Sequence, residues 1–533
     1  MKKFNITLIL LLLVNLMYAQ NPLVKQWDKR FGGISNEVLT CFQQCADGGY
    51  ILGGYSGGGI SGDMTQVSWG GADYWIIKID SLGNKEWDKD FGGTEDEILY
   101  FLQQTSDKGY ILGGWSKSGI SGDKTIANWD SSGNTYDYWI VKIDSLGNKQ
   151  WDKGFGGIGN DYFYSLQQAS DKGYILGGSS FSGTSGDKTQ SLWGACDYWI
   201  VKTDSLGNKQ WDKDFGGSTY DYFRSMRQTS DGGYILGGFS YSDISGDKTQ
   251  SLWGVCDYWI VKTDSLGNKQ WDKDFGGTQS DALLSLQQTA DMGYVLGGVS
   301  ASEISGDKTQ PLWGATIGET DFWVVKIDSS GTKQWDKDFG GTDFEDEFGN
   351  ISQTSDGGYL LAGTSYSNIS GNKTESNLGQ EQTWVLKTDS LGIKEWDKTL
   401  HTTGHEENGY AIQSKDGCYA MANVTLAGIG GDKTQPSQGL LDFWIIKLCD
   451  TTETTSINQI FNPESSFLIY PNPTNSNLNF VLNQSKNIII TNVLGEIVLQ
   501  KKVDGKAELD VSFLSTGIYI IKAGNEVRKF AKE

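Results

Sequence analysis

Histidine is nearly absent from this chain, which limits the catalytic chemistry that the sequence can support. Only His401 and His405 occur among 533 residues, so a histidine general base would have to lie in that one segment. The spacing His401-x-x-x-His405-Glu406 is typical of some metal sites, but no helical pattern carries it here. The composition therefore favours a protein without histidine-based catalysis.

Cysteine is also scarce, and six cysteines do not form a disulfide-stapled scaffold at this length. Cys41 and Cys45 lie four residues apart on one predicted strand, about 13 Å, which is beyond disulfide reach. Cys418 and Cys449 belong to one repeat and could approach each other. The other two, Cys196 and Cys256, occupy the same position in neighbouring repeats. No spacing typical of a cysteine zinc site is present.

Positive charge is in short supply. The formal net charge of the chain is −22. Lys2 and Lys3 contribute +2, and the segment 466–533, with eight basic and six acidic residues, contributes another +2. Residues 20–465 therefore carry a net charge of −26. Such a surface repels nucleic acid and anionic lipid, so neither is expected as a partner. A sialidase would need clustered arginines, and residues 20–450 contain only three: Arg30, Arg224 and Arg227.

Long apolar runs are confined to the N-terminus. Residues 1–19 begin with Lys2 and Lys3, continue through the apolar stretch from Leu8 to Leu16, and end at Ala19. This pattern predicts a signal peptide, and the stretch is short for a transmembrane anchor. No other segment is apolar enough to span a membrane. The remainder is expected to be exported, either secreted or held at the outer-membrane cell surface.

The most prominent feature of the sequence is a repeat that occurs seven times. The motif Trp-Asp-Lys recurs at Trp27, Trp87, Trp151, Trp211, Trp271, Trp335 and Trp396, at intervals of 60, 64, 60, 60, 64 and 61 residues. Within each repeat, four short aromatic and β-branched runs alternate with turns rich in Gly, Asp and Asn, and no 3.6-residue period is sustained. The pattern predicts an all-β, seven-bladed β-propeller over residues 20–450.

The phase of the repeat predicts how the ring closes. The segment at Trp27 has no preceding partner strand, and the run from Asp442 to Leu448 has no following Trp-Asp-Lys. The N-terminal strand is therefore expected to supply the fourth strand of the last blade, which would remove an open sheet edge. Residues 451–465 form a predicted linker. Residues 466–533 form a small predicted Ig-like β-sandwich.

Two resemblances follow from these motifs. The C-terminal unit resembles the type A sorting domain of the type IX (Por) secretion system of Bacteroidota, on the motifs Tyr470-Pro471-Asn472-Pro473, Asn492-Val493-Leu494-Gly495-Glu496, Leu509-Asp510-Val511-Ser512, Gly517-Ile518-Tyr519-Ile520 and Arg528-Lys529-Phe530. The resemblance implies the type IX secretion machinery as a partner. The repeat is similar to the seven-bladed propeller repeat of bacterial secreted proteins, on motifs such as Phe91-Gly92-Gly93 and Leu112-Gly113-Gly114.

A carboxylate precedes each innermost strand at a fixed interval. The set is Glu37, Glu97, Asp161, Asp221, Asp281, Asp346 and Glu406. On the predicted strand phase these acids lie around the mouth of the central channel, where a carboxylate ring could bind a hard cation such as Ca²⁺. Alternatively, each acid accepts hydrogen bonds from its own crossover turn, a reading that recurrence in every repeat favours.

Five tryptophans lie in long polar loops just before the third strand: Trp69, Trp129, Trp193, Trp253 and Trp313. Repeats six and seven have Leu378 and Gln438 near that position. An exposed indole beside Asp, Asn and Gln suits stacking on sugar rings, whereas the alternative is that each indole pins its own loop.

These features predict an exported, non-catalytic propeller that binds polysaccharide or protein. No cofactor is expected apart from the Ca²⁺ considered above. A secreted glycan-degrading enzyme using paired channel-mouth carboxylates is one alternative, because acid pairs are abundant. A purely structural surface protein is another.

Overall fold

The fold is described from a computed structural model. It describes residues 23–450 apart from 315–318 and 346, and residues 468–532 apart from 471–473, 475, 482–485, 493–495, 504–505 and 524–525. The predicted signal peptide, the predicted linker and Asp346 lie outside the described residues. The described chain is all-β and divides into two compact units, Met1–Thr451 and Thr452–Glu533. Among the described residues, no helix has the length and hydropathy needed to cross a membrane.

Each repeat forms one four-stranded antiparallel sheet, here called a blade, and there are seven. Strands are numbered in chain order. The first strand of each blade lines the central channel. From blade one to blade seven, these strands are β2 Glu37–Gln44, β6 Glu97–Gln104, β10 Asp161–Gln168, β14 Asp221–Gln228, β18 Asp281–Gln288, β22 Phe348–Gln353 and β26 Glu406–Gln413. The second is β3 Tyr50–Ser56, β7 Tyr110–Ser116, β11 Tyr174–Ser180, β15 Tyr234–Ser240, β19 Tyr294–Ser300, β23 Tyr359–Ser365 or β27 Tyr419–Thr425.

The third strand of each blade is buried on both sides. It is β4 Asp73–Ile79, β8 Asp137–Ile143, β12 Asp197–Thr203, β16 Asp257–Thr263, β20 Asp321–Ile327, β24 Gln382–Thr388 or β28 Asp442–Asp450. The fourth, carrying Trp-Asp-Lys, is β5 Lys85–Phe91, β9 Lys149–Phe155, β13 Lys209–Phe215, β17 Lys269–Phe275, β21 Lys333–Phe339 or β25 Lys394–Thr399. In blade seven the fourth strand is β1 Leu23–Phe31, which pairs with β28 from Leu23 opposite Asp450 to Phe31 opposite Phe443.

Local sequence explains the hairpins between third and fourth strands. In the turn from Asp144 to Asn148, one carboxylate oxygen of Asp144 accepts hydrogen bonds from the backbone N–H groups of Leu146 and Asn148, both at 2.8–2.9 Å. Gly147 adopts φ +81°, a left-handed conformation that glycine reaches without steric cost. The same turn recurs in most blades and sets the strand register.

The core lies between blades. Trp139 on β8 is fully buried and packs on Tyr74 of the preceding blade, with ring centroids 4.9 Å apart. The Tyr74 hydroxyl donates to the Trp139 carbonyl oxygen at 3.0 Å. A Cβ at Gly113 would lie in the ring of Phe163 of the next blade, so the Leu-Gly-Gly strand permits close packing of neighbours. No blade buries its apolar surface alone, which explains why the repeat must be stacked.

The C-terminal unit contains two sheets. One has three strands, β29 Leu468–Tyr470, β30 Asn477–Val481 and β33 Lys506–Asp510; the other has four, β31 Lys486–Asn492, β32 Ile497–Val503, β34 Gly517–Ala523 and β35 Glu526–Lys532. Buried side chains such as Ile488, Ile490 and Ile521 form its core. This unit therefore has an apolar core of its own.

Candidate functional site

The acids at the start of the innermost strands are fully buried and do not line the channel. Six of them are described, all with no exposed surface: Glu37, Glu97, Asp161, Asp221, Asp281 and Glu406. In blade two, the Glu97 carboxylate accepts hydrogen bonds from the Gly93 N–H at 2.5 Å and from the Ser116 hydroxyl at 2.6 Å. The predicted ring at the channel mouth is not formed by these six, because each carboxylate is buried against hydrogen-bond donors. In five of them a glycine N–H of the crossover is among the donors, and Glu406 accepts instead from the Thr383 N–H and the Asn423 side chain.

Burial shapes the titration of these acids. Loss of hydration raises the pKa of Asp161, Asp221 and Asp281 to about 6, against which the hydrogen bonds from Ser and Gly act. Loss of hydration also raises the pKa of Glu406 to about 7. Among the described residues, no group of three or more His, Cys, Asp or Glu side chains is placed to hold a metal ion. These buried carboxylates accept hydrogen bonds from backbone N–H groups and from side chains such as the Ser116 hydroxyl.

In blade six, the buried acid described by the structure is not the residue named in the predicted set of carboxylates. Asp346 lies outside the described residues, and the buried carboxylate of this blade belongs to Glu345. Its two oxygens accept hydrogen bonds from the Gly341 N–H at 3.2 Å and the Ser365 hydroxyl at 2.8 Å, the contacts that Glu97 makes in blade two. The acid predicted for this blade, Asp346, lies outside the described residues, and Glu345, one residue earlier, makes these contacts ahead of β22, which starts at Phe348.

The five loop tryptophans are half-exposed, with 45–58% of their surface accessible: Trp69, Trp129, Trp193, Trp253 and Trp313. Each indole packs on the loop of the next blade rather than on its own. A Cβ at Gly186 would lie 2.8 Å from the Trp129 ring, and Gly186 has φ +57°. The Trp129 indole N–H donates to Asp187 at 2.6 Å, and its backbone N–H donates to Asp137 at 2.8 Å. One indole face is thus held and the rest of the ring stays open.

The last two blades lack this feature. Leu378 takes the tryptophan position in blade six and is 55% exposed. In blade seven the Gln438 side chain approaches Gly62 of blade one, the position that an indole covers elsewhere. The loop tryptophans therefore form an incomplete series, with one indole on each of the first five blades.

The two histidines lie in the blade seven crossover and contact carboxylates. The His405 Nε2 atom is 3.0 Å from Glu407 and its Nδ1 atom is 3.4 Å from Glu381. His401 Nε2 lies 3.1 Å from the Ser376 carbonyl oxygen. Neither histidine lines the channel.

The central channel is a cavity of about 690 Å³ lined by the first strands of all seven blades. Its lining includes Arg224 and Arg227 on β14 together with aromatic residues such as Tyr100, Tyr164 and Tyr410. Sequence reasoning missed this grouping. The signal that could have found it is the departure of blade four from the repeat, since an arginine replaces the glutamine of its neighbours at residue 227.

The disulfide that the sequence left open is present. Cys418 and Cys449 are bonded, joining the start of β27 to the end of β28. The other four cysteines are free, and three of them are buried.

Comparison with known proteins identifies the family of the C-terminal unit. Residues 468–533 match the family model described as the secretion system C-terminal sorting domain. The C-terminal unit is a secretion sorting domain. This domain marks proteins that are exported to the cell surface or secreted, so the chain is an exported protein. The sorting domain also implies an interaction with the type IX secretion machinery. Parts of its motifs, among them Pro471–Pro473, lie outside the described residues.

Solved structures resemble the chain distantly. PorZ, a surface component of the type IX secretion system of Porphyromonas gingivalis, is 10% identical with a TM-score of 0.37, and the match covers 91% of this chain and 58% of PorZ. A protein from Dyadobacter fermentans (10%, TM-score 0.38, covering 80% of this chain and 99% of that one) and the polysaccharide lyase Uly1 (10%, TM-score 0.40, covering 78% and 90%) are similarly distant. No curated protein sequence matches the chain. At TM-scores of 0.37 to 0.40, these structures carry no argument about the function of this chain.

Proposed function

We propose that this chain is an exported, closed seven-bladed propeller that binds polysaccharide through its loop tryptophans, without acting on the ligand. One observation carries the proposal: five half-exposed indoles occupy equivalent positions on consecutive blades, each fixed by the next blade. An indole held on one side and open on the other offers an apolar surface to a sugar ring. Because its position is fixed before binding, little conformational entropy is lost when the ligand arrives.

The repetition suits an extended polymer. Trp193 and Trp253 lie in the matching loops Ser191-Leu192-Trp193-Gly194 and Ser251-Leu252-Trp253-Gly254 on adjacent blades. A polymer that engages both indoles gains from their high effective concentration, since the second contact is intramolecular. Each stacking contact contributes about 0.5–1.5 kcal/mol beyond area burial.

A glycan array with the purified protein would identify the ligand, and calorimetry with that ligand would test the site. The double variant Trp193→Leu/Trp253→Leu uses the residue that blade six already carries as Leu378. It is expected to weaken binding about tenfold or more, because two stacking contacts are lost. The matched control is Leu206→Ala/Leu266→Ala, which removes two exposed side chains from turns of the same two blades.

The control is expected to bind like the unmodified protein. Equal affinity of the double tryptophan variant and the unmodified protein would contradict the proposal. Release of shortened products from the identified polysaccharide would contradict the non-catalytic part of it and favour a glycan-degrading enzyme.

A further inference from the structure

Blade four breaks the pattern of the channel lining. The channel position of Arg227 is glutamine in four other blades, Gln43, Gln103, Gln167 and Gln287. Each of these glutamines accepts a hydrogen bond from a backbone N–H of the next blade, as Gln167 does from Gln228 at 2.7 Å. A guanidinium has no acceptor atom, so Arg227 forgoes this link between blades. The exchange weakens a repeated structural contact and adds a positive charge to the channel.

Both channel arginines lack a counterion. The Arg224 Nη1 atom donates to the Phe223 carbonyl oxygen at 3.2 Å, and that of Arg227 donates to the Met226 carbonyl oxygen at 2.7 Å. Within the described residues, neither guanidinium forms an ion pair; of the three arginines in the repeat region only Arg30 does. The buried lysines of the equivalent loops divide into two groups. Three pair with an aspartate: Lys188 with Asp214, Lys248 with Asp274 and Lys308 with Asp338. The other three donate to carbonyl or amide oxygens: Lys124, Lys373 and Lys433.

Residues 20–465 carry a net charge of −26, yet no carboxylate of the described residues lies within ion-pairing distance of these two guanidiniums, although Glu347 also lines the channel. A partly buried guanidinium that meets only backbone carbonyls and aromatic rings keeps an uncompensated charge, which costs free energy. An anionic ligand would supply the missing partner.

Aromatic side chains surround Arg224 on one side of the channel. Its guanidinium lies 4.4 Å from the Tyr164 ring centroid and 5.2 Å from that of Phe239. Tyr164 contacts Tyr100, and Phe239 contacts Tyr222, with ring centroids 5.1 and 5.3 Å apart. Blade five lacks these side chains: it has Leu284 at the position of Arg224, Ala282 at that of Tyr222 and Val299 at that of Phe239. Positive charge and aromatic surface thus occur together on blades two to four.

We propose that the central channel binds an acidic oligosaccharide, with uronate carboxylates on Arg224 and Arg227 and sugar rings against the neighbouring tyrosines. Arginine suits this ligand because its planar donors match a carboxylate. The two arginines are three residues apart on one strand, about 10 Å along the backbone at most. The bulge between Phe223 and Ser225 shifts the alternation of side chains, so both arginines line the channel and an oligomer with several carboxylates can reach both. The cavity of about 690 Å³ lies within the usual range for small-ligand sites. The channel residues are distinct from the loop tryptophans.

The test is calorimetric titration of the full protein with trigalacturonate, and with neutral maltotriose and sodium sulfate as comparison ligands. The repeat itself supplies substitutions that each blade tolerates: Arg224→Leu copies Leu284 of blade five, and Arg227→Gln copies Gln287. Each is expected to weaken trigalacturonate binding at least tenfold. Maltotriose and sulfate are expected to bind far more weakly than trigalacturonate to the unmodified protein, and the affinity should fall as salt is added.

The double variant Leu206→Ala/Leu266→Ala, which alters two exposed turn residues outside the channel lining, serves as control and is expected to keep its affinity for trigalacturonate. Arg227→Gln is also expected to keep or raise the melting temperature, because glutamine restores an acceptor for the next blade. Unchanged trigalacturonate affinity in both arginine variants would overturn the proposal and leave these arginines as packing residues. Sulfate binding as tight as that of trigalacturonate would overturn it in favour of a general anion site.

Discussion

At the scale of single residues, the buried carboxylates of the inner strands couple stability to pH. Burial raises the pKa of Asp221 from its ordinary 3.8 to about 6, so the folded protein holds this proton more tightly than the unfolded chain. The resulting contribution to stability is fully present below about pH 4 and is lost as the pH rises through about 6. Asp161 and Asp281 behave in the same direction.

Asp221→Asn removes one of these titrating groups. The melting temperature of the unmodified protein is expected to rise when the pH is lowered from 7 to 5, and that of the variant to rise less. The difference corresponds to at most about 1.4 kcal/mol per pH unit for the one group. Calorimetric melting at several pH values would measure it. Parallel pH profiles for the two proteins would contradict the assignment.

The loop tryptophans show at this scale how one side chain serves two purposes. Each indole both covers a glycine of the next blade and leaves about half of its surface open. Because the contact crosses between blades, substituting leucine, which blade six carries, disturbs the fold less than alanine would. We therefore expect this substitution to test the proposed ligand binding with little effect on stability.

At the scale of elements, blade seven is the one sheet assembled from both ends of the repeat region. Asp28 on β1 accepts hydrogen bonds from the Thr434 backbone N–H at 2.9 Å and the Trp444 indole N–H at 3.2 Å. Deleting residues 20–33 removes these contacts and leaves β28 as an unpaired edge. The deletion variant is expected to lose cooperative unfolding or to aggregate, because open edges recruit other strands.

Circular dichroism melting and size-exclusion chromatography would follow this loss. Deleting residues 468–533 instead provides a matched control, since it removes strands from the other unit only. A β1 deletion variant that melts cooperatively at the original temperature would contradict the closing role of β1.

The disulfide reinforces the same blade. Cys418–Cys449 closes a loop with a sequence separation of 31 residues. In the chain-entropy model, crosslinking a loop of this size stabilises the folded state by about 3–4 kcal/mol, because it lowers the entropy of the unfolded chain. Reductant is expected to lower the melting temperature of the unmodified protein by several degrees. Cys418→Ser/Cys449→Ser should start lower and show no further response; an equal response to reductant in both proteins would exclude this bond as the cause.

At the scale of the whole molecule, we expect export and the proposed binding to depend on different units. The sorting domain spans residues 468–533 and has its own core, and each of the seven blades is a sheet made of strands of the repeat region. Removing residues 466–533 is expected to leave a folded propeller that is no longer exported. Cell fractionation would show the truncated protein retained in the periplasm, and its melting temperature should match that of the repeat region in the full chain. Normal surface display of the truncated protein would contradict this prediction.

The sequence alone determined the local structure of the repeat. The prediction of four short strands in each repeat is met by elements such as Asp137–Ile143 and Lys149–Phe155, because turn residues and aromatic or β-branched runs act within a few residues of each other. The sorting domain was equally visible, because its motifs are short and contiguous.

Only the tertiary structure decided where the polar side chains point. Glu97 accepts a hydrogen bond from Ser116 at the end of β7, and Trp129 reaches Asp187 of the following blade, so both depend on contacts some 20 to 60 residues away along the chain. Arg224 and Arg227 looked too isolated in sequence to form a site. The stacking of seven blades around one channel placed them with aromatic residues of blades two to four, a grouping set by the ring and not by any local pattern.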